Sequence, residues 1–288
     1  LLGGRGAYKW KMSLDKMIDV LIYGTILGII GARLYYVLAN WSFYKDNISS
    51  IFSVWEGGLA IYGGLIGGII AAYLVCRFEK LNFYNLLDLC AMSFLVGQGI
   101  GRWGNFTNQE VFGTNTNLPW GMWSQKTADF INYSQAELAA KGILVDAGTM
   151  ADKAYVHPTF LYESLWCLLG FAVLFFICKK HRKFSGQIML CYGVWYGTGR
   201  AFIEHVRLDG IPLAGIGLTL NQVRSIALAV VCAVLLAVLL KKYKKNPKPI
   251  EGVDFFPPEE EKKPTGKKTA PAAKAVKTKV AENAAGND

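Results

Sequence analysis

The sequence predicts an all-α polytopic membrane protein, and three features lead to this class. Hydrophobic residues make up 52% of the 288 residues, the mean hydropathy is +0.27, and only 18% of the residues are charged. A soluble domain would carry about 25% charged residues. The charges are also clustered, because long apolar segments alternate with short basic ones. This alternation is typical of several membrane-spanning helices.

Six segments are apolar and long enough to be membrane spans. They are 14–39, 52–76, 83–101, 159–178, 185–206 and 218–240. The chain begins with Leu, so we expect residues 1–13 to be the remnant of an N-terminal region and the full-length protein to contain a seventh span. Residues 102–158 are too many and too polar for a turn, and they predict a small extracytoplasmic cap between membrane helices 14–101 and 159–240.

The distribution of basic residues predicts the orientation of the spans. Every second connection between the spans is rich in Lys and Arg, which places these connections in the cytoplasm by the positive-inside rule. The segments 40–51, 102–158 and 207–217 then face outward, and the C-terminus is cytoplasmic. The tail 241–288 is rich in Lys, Ala, Pro and Glu, so we expect it to be disordered, with weak attraction to anionic lipid as the functional alternative.

Composition disfavours two classes of function, nucleic-acid binding and metal binding. The net charge of +10 lies mostly in the tail and in loops beside the spans, which fits a membrane surface and not nucleic acid. The six cysteines form no CxxC motif or Cys/His cluster, so we interpret them as buried free thiols. No span carries clustered Asp or His residues, and we therefore expect no metal site.

A glycine-rich segment occupies the second predicted span. Gly63 and Gly67, like Gly64 and Gly68, have the GxxxG spacing that lets membrane helices approach closely. Tight helix packing is one interpretation of this segment. The alternative is that glycine leaves room for a lipid head group beside Tyr62.

Ionisable residues within membrane spans carry a high free-energy cost of insertion, so their presence indicates function. Most of them fall near the outer ends of the predicted spans, which suggests one polar site that opens to the outer leaflet. They are Asp19, Arg33, Glu56, Asp88, Arg102, Glu163, Arg200, Glu204, Arg207 and Arg224.

Three of these residues share a predicted helical face. Arg200, Glu204 and Arg207 are spaced i, i+4 and i+7, and Arg102 could converge on them from another span. Two or three guanidinium groups would bind a phosphodiester, because Arg stays charged and donates hydrogen bonds in a planar fork. The alternative is structural: the arginines pair with Glu110, Glu163 and Glu204 to hold helices together, and Arg207 extends to the interface.

Five motifs together resemble the prolipoprotein diacylglyceryl transferase family over residues 13–240. The most specific is the ten-residue segment GRWGNFTNQE. The motifs are Gly31–Tyr36 (GARLYY), Trp55–Gly67 (WEGGLAIYGGLIG), Gly101–Glu110 (GRWGNFTNQE), His157–Glu163 (HPTFLYE) and Tyr196–Arg200 (YGTGR).

The resemblance implies seven spans, an outside N-terminus and an outward head domain in a bacterial cell membrane. It also implies a reaction without metal or cofactor. The cysteine thiol in the lipobox of a prolipoprotein signal peptide attacks the glyceryl carbon of phosphatidylglycerol, which gives a thioether and releases glycerol phosphate. The partners are thus prolipoproteins, phosphatidylglycerol and membrane lipid.

The resemblance assigns roles to individual residues. Arg102 and Arg200 would bind the phosphate and stabilise the charge of the leaving group. Asn105 and Glu110 would orient the head group or support Arg102. Glu204 would support Arg200. Tyr196 and Gly113 would be the remaining substrate-binding residues.

The chain departs from the family pattern at two positions. Tyr62 stands where many members carry a His that is a candidate base, so Tyr62 is a candidate catalytic residue together with Arg102, Arg200 and Glu110. Phe160 stands where a Gln is common. A Tyr with a pKa of about 10 is a poor base at neutral pH. Either the thiol is activated otherwise, by Glu110 or by the field of the arginines, or the family His is not the base. His157 is a candidate for a structural cap or for pocket chemistry.

Two other classes of function are the alternatives. A lipid or small-anion transporter could bind its cargo at the arginines, but transporters usually contain internal repeats, which this sequence does not show. An intramembrane hydrolase needs an activated nucleophile, and no motif of that kind surrounds Ser93 or Ser225. A transporter would leave phosphatidylglycerol intact, so product analysis separates it from the transferase.

Overall fold

The computed structural model describes residues 14–208, 213 and 217–246, which contain eight α-helices. The helices are α1 (Leu14–Ala39), α2 (Trp41–Tyr44), α3 (Ile61–Phe78), α4 (Phe83–Thr107), α5 (Gln125–Ala140), α6 (Thr159–His181), α7 (Gln187–Glu204) and α8 (Leu220–Lys245). The predicted remnant 1–13, most of the loop 207–217 and the tail beyond residue 246 lie outside the described residues.

The helices confirm an all-α polytopic membrane protein. Five of them, α1, α3, α4, α6 and α8, are long and apolar enough to cross a membrane. Helix α7 coincides with the predicted span 185–206 but is less apolar, because it carries glycines, Arg200 and Glu204. Large exposed Ile, Leu and Val side chains cover α1, α3 and α8, as expected for surfaces in contact with lipid.

Two predicted span boundaries differ from the structure. Helix α3 begins at Ile61 and not at residue 52, because Gly57 and Gly58 have positive φ angles of 92° and 74° that interrupt the helix. Helix α4 continues to Thr107, six residues past the predicted end at 101. The polar residues from Arg102 onward suggested a loop, but polar side chains are compatible with a helix that extends beyond the apolar layer.

The helices pack in two groups. Helices α1 and α3 pack mainly against each other, while α4, α6, α7 and α8 form the larger bundle. The core of this bundle is an apolar cluster centred on Leu95, Leu174 and Ile188, which are at most 1% exposed. The six cysteines are free thiols, as predicted, but only three of them are buried, and Cys90, Cys191 and Cys232 are half-buried.

Close packing between α1 and α3 depends on glycine. A Cβ atom on Gly63 would overlap the carbonyl oxygen of Gly31 and the Cβ of Tyr35, and one on Gly67 would overlap the carbonyl oxygen of Leu27. Backbone-to-backbone contact of this kind is how small residues associate helices in lipid. The packing interpretation therefore holds for the Gly63/Gly67 pair, whereas a Cβ on Gly64 or Gly68 would meet no atom closer than 3.5 Å.

We expect Gly63→Val to separate α1 from α3, because the new side chain has no space against Gly31 and Tyr35. Overpacking costs about 1–3 kcal/mol, and the variant should unfold at a lower temperature in detergent. Gly24→Ala is the control, since no atom lies within 4 Å of a Cβ at that position. Equal melting temperatures for the two variants would contradict this account of the seam.

Arg33, one of the ionisable residues in the predicted spans, stabilises the fold. Arg33 is buried and donates hydrogen bonds to the backbone carbonyls of Ser50, Ile51, Gly57 and Gly58 at 2.5–3.0 Å. These contacts hold the segment between α2 and α3 against α1, and they supply the acceptors that the buried guanidinium group of Arg33 needs.

Asp88 and Arg182 form a fully buried ion pair, with Arg182 Nε 3.0 Å from Asp88 Oδ2. The backbone amides of Gly186 and Met189 also donate to Asp88, which joins α4 to the start of α7. Arg182 belongs to a basic segment that predicted the cytoplasmic side, but its charge is neutralised inside the bundle.

Residues 108–158 have a small apolar cluster of their own. It is built around α5, with Ala128, Ile131 and Leu138 facing Phe112 and Val156. Backbone pairing in this region is confined to isolated bridges, including Asn115 with Val156.

Candidate functional site

Three arginines from different parts of the bundle converge on Glu163, a buried carboxylate on α6. Arg102 Nε lies 2.5 Å from Glu163 Oε2. Arg200 Nη1 and Arg207 Nη1 lie 2.6 Å and 3.0 Å from Glu163 Oε1. One carboxylate thus joins the end of α4, helix α7 and the segment after α7.

Glu204 is the second carboxylate of this cluster and is 1% exposed. Its Oε2 lies 2.8 Å from Arg200 Nη2, and its Oε1 accepts a 2.9 Å hydrogen bond from Asn221 on α8. Arg207 Nε is farther away, at 3.8 Å. Arg200 is therefore held between two carboxylates, one on each terminal nitrogen, a geometry that a planar guanidinium group provides and an ammonium group does not.

The predicted helical face of Arg200, Glu204 and Arg207 is realised in part. The i,i+4 pair lies within α7, but the helix ends at Glu204. Arg207 reaches the cluster from the turn that follows α7, where its backbone bridges to Gly113. Gly113 is needed there because a Cβ would overlap the carbonyl oxygen of Val206. This predicted binding residue thus positions Arg207 through the backbone.

The cluster carries a net charge of +1, because three arginines face two carboxylates. Arg102 is the most exposed of the three arginines, with 27% of its side chain accessible, against 18% for Arg200 and 6% for Arg207. Its ion pair with Glu163 uses Nε. Within the described residues no partner is found for its two terminal nitrogens, which leaves them able to bind a ligand.

A cavity of about 20 Å³ adjoins the cluster, enough for one water molecule. It is lined by Gln98, Arg102, Glu163, Trp166, Cys167, Tyr196, Gly199, Arg200 and Ile203. Tyr196 lies in this lining, and its ring stacks on Tyr192 at 5.8 Å between centroids. The space beside the ion pairs is therefore small in this structure, although Arg102 is partly accessible.

Asn105 and Glu110 form a separate pair beyond the arginines. Glu110 accepts hydrogen bonds from Asn105 Nδ2 at 2.9 Å and from Asn108 Nδ2 at 3.3 Å. These bonds hold the pKa of Glu110 below its ordinary value, because they stabilise the ionised form. Glu110 is therefore a carboxylate at neutral pH and a weak proton acceptor, and its described contacts do not include Arg102.

Tyr62 lies apart from the arginine cluster. It is the second residue of α3, its side chain is 56% exposed, and its hydroxyl accepts a 3.3 Å hydrogen bond from Arg224 Nη1 on α8. The structure thus places this predicted catalytic residue beside another arginine, and not beside Arg102 or Arg200.

Two residues of the HPTFLYE motif have clear partners. Phe160 is buried against the rings of Trp103 and Phe106, at 5.8 Å and 5.2 Å between centroids, so an apolar residue fits where the family pattern has Gln. His157 Nδ1 lies 3.0 Å from the hydroxyl of Tyr162, and partial burial lowers the pKa of His157 below its ordinary value. Its imidazole is consequently neutral at pH 7.

Glu163 lies at the centre of the cluster, although the sequence analysis included it only among ten ionisable span residues and, in the structural alternative, as a partner of the arginines. A buried carboxylate within a span requires cations from neighbouring helices, and this requirement was the available signal. Asn221 was missed as well, since an Asn at the start of a helix has many roles. Among the described residues, no three His, Cys, Asp or Glu side chains are grouped closely enough to hold a metal ion.

The fold and the site together define a multi-pass helical membrane protein with a buried, net cationic cluster at one end of its bundle. A model of the prolipoprotein diacylglyceryl transferase family matches residues 2–238. The chain belongs to this family, which is a family of transferases. Membership decides between the transferase and transporter interpretations in favour of the transferase.

Three relatives, each named phosphatidylglycerol–prolipoprotein diacylglyceryl transferase, show the extent of the similarity. The protein of Listeria innocua is 39% identical over 248 residues, which cover 86% of this chain and 82% of the relative. That of Streptococcus equi subsp. zooepidemicus is 38% identical over 256 residues, 88% of each chain. That of Finegoldia magna is 38% identical over 236 residues, 82% of each chain.

Proposed function

We propose that this protein transfers the diacylglyceryl group of phosphatidylglycerol to the lipobox cysteine of a prolipoprotein. The thiol sulfur forms a bond to the glyceryl carbon that carries the phosphate, and the bond between this carbon and the phosphate oxygen breaks. The products are a thioether-linked lipoprotein and glycerol phosphate, and the thiol proton is released. The names of the relatives give both substrates.

The observation that carries this proposal is the arginine cluster on Glu163 and Glu204. Its net charge of +1 matches the single negative charge of a phosphodiester. When the carbon–oxygen bond breaks, the departing phosphate gains a second negative charge. Arginines held in place before the reaction stabilise this charge without reorganisation, which lowers the barrier.

Arg102 is the residue that meets the phosphate first in this proposal. It is the most exposed arginine of the cluster, and its described ion pair occupies only Nε. The adjoining cavity holds about one water molecule. A phosphate group therefore displaces part of the Arg102–Glu163 contact when it binds, while Arg200 stays anchored by Glu204.

Four groups are candidates to accept the proton of the thiol: Glu110, Tyr62, His157 and solvent. Glu110 is weakened as a base by its two amide donors, and Tyr62 contacts Arg224 instead of the cluster. His157 is neutral at pH 7 and lies beside the backbone of Gly113, which bridges to Arg207. The cationic cluster also lowers the pKa of a nearby thiol, so that solvent can accept its proton.

The orientation proposed from the basic segments places this site toward the outer leaflet of a bacterial cell membrane and the C-terminus in the cytoplasm. Residues 102–158 form the extracytoplasmic cap, with their first six residues in α4. The lipobox cysteine then approaches from the side to which prolipoproteins are exported.

The proposal is tested with the full-length protein in mixed micelles that contain phosphatidylglycerol labelled in its terminal glycerol. A peptide with a lipobox cysteine is the acceptor. We expect the peptide to gain the mass of a diacylglyceryl group and one labelled glycerol phosphate to be released for each thioether formed. Labelled phosphatidylglycerol that remains intact, with an unmodified peptide, would refute the transferase proposal and favour lipid transport.

A further inference from the structure

Arg224 differs from the arginines of the cluster in its surroundings. It lies one turn into α8, its side chain is exposed, and its Nη1 donates to the hydroxyl of Tyr62 at 3.3 Å. In the part of the chain that the structure describes, no carboxylate pairs with it. An arginine within a span that has a phenol but no acid as its partner retains its full positive charge, and such residues indicate function.

Arg224 is also connected to the transfer site. Asn221, three residues earlier on the same face of α8, donates to Glu204 of the arginine cluster. Three residues correspond to about 4.5 Å of helix rise, so Arg224 lies less than one helical turn from the residue of α8 that contacts the cluster. On its other side Tyr62 belongs to α3, so the Tyr62–Arg224 contact spans from the α1–α3 pair to the larger bundle.

We propose that Tyr62 and Arg224 form a subsite for the head group of the donor lipid and select a head group that carries no cation. This inference rests on the proposed function. The arginine cluster has a net charge of +1, and Arg224 raises the total charge beside the lipid to +2. An anionic phosphoglycerol head group is attracted by this charge, whereas the ammonium group of phosphatidylethanolamine is repelled.

Tyr62 has two functions in this subsite. Its oxygen accepts the hydrogen bond that directs Arg224 toward α3, and its own O–H remains able to donate to a hydroxyl or phosphate oxygen of the head group. This gives the Tyr that replaces the family His a role that does not require it to act as a base.

The test compares wild type with Arg224→Gln in mixed micelles, with phosphatidylglycerol as donor and phosphatidylethanolamine as competitor. Removing the charge should raise the KM for phosphatidylglycerol about fivefold, with kcat changed by less than about twofold. Phosphatidylethanolamine should inhibit the variant more strongly than wild type. Arg77→Gln is the matched control, because Arg77 is exposed in the last turn of α3, at the end opposite Tyr62.

Two further variants separate charge from structure. Arg224→Lys keeps the charge and should retain a KM within about twofold of wild type, which a purely structural role of the guanidinium group would not give. Tyr62→Phe removes the acceptor and should raise KM in the same direction as Arg224→Gln. If Arg224→Gln does not yield folded protein, Tyr62→Phe carries the test.

An unchanged KM together with unchanged inhibition by phosphatidylethanolamine would overturn the subsite. So would a KM for Arg224→Lys as high as that of Arg224→Gln. These results differ from failure of the proposed function, in which wild type itself forms no thioether.

Discussion

Replacing Glu163 by Gln is expected to reduce diacylglyceryl transfer by about 10²–10³-fold, because this one carboxylate positions three guanidinium groups. Gln accepts a hydrogen bond but cannot neutralise the arginines. Their mutual repulsion then disperses the cluster, and removing one partner from a buried ion pair costs about 3 kcal/mol of stability. The measurements are kcat, KM and the melting temperature of the purified variant.

The control for this substitution is Glu137→Gln, which removes an exposed carboxylate that pairs with Lys141 on the surface of α5. Surface pairs of this kind contribute little, so its transfer rate and melting temperature should match those of wild type. Glu163→Asp retains the charge on a shorter side chain and should recover part of the activity. A Glu163→Gln variant as active as Glu137→Gln would show that the cluster does not depend on Glu163.

Replacing Arg200 by Lys is expected to lower kcat by about 10²-fold with a smaller change in KM. Arg200 reaches Glu163 with one terminal nitrogen and Glu204 with the other. A single ammonium group cannot make both contacts in this geometry, so its charge is retained but not fixed where the leaving phosphate needs it.

Arg77→Lys provides the comparison for the Arg200 variant, because it makes the same chemical change at an exposed position away from the site. It should leave both kinetic constants unchanged. An Arg200→Lys enzyme with wild-type kcat would mean that charge alone is sufficient, and the bidentate geometry would lose its place in the mechanism.

The membrane fold could be predicted from composition, because lipid requires continuous apolar helices and the long apolar segments are visible in the sequence. Five of the predicted spans coincide with helices apolar enough to cross. The boundaries were less predictable. Residues 52–60 are nearly as apolar as the membrane helix that follows them. The positive φ angles of Gly57 and Gly58, which exclude a helix there, are a property of the folded chain.

The arginine site could be predicted only in part. The spacing of Arg200 and Glu204 predicts one helical face, and the structure places them together with Arg102. The spacing does not predict which carboxylate lies at the centre. Glu163 is 37 residues from Arg200 along the chain, and their contact depends on how α6 packs against α7.

Tyr62 shows why a match to a family motif does not fix the geometry of a site. The motif places it where a candidate base is common, yet its hydroxyl contacts Arg224, a residue 162 positions away. The phenol and the arginine meet only because α3 and α8 approach each other. Sequence spacing holds no information on that approach, so this pair emerged from the structure alone.

The most direct test of the central claim compares wild type with Arg102→Ala in the labelled phosphatidylglycerol and lipobox peptide assay. The claim is that arginines held by Glu163 and Glu204 bind the phosphate and stabilise it as it leaves. It predicts thioether and glycerol phosphate in equal amounts from wild type, and at least about 100-fold less product from a folded Arg102→Ala protein. Product formation by Arg102→Ala at the wild-type rate would contradict it.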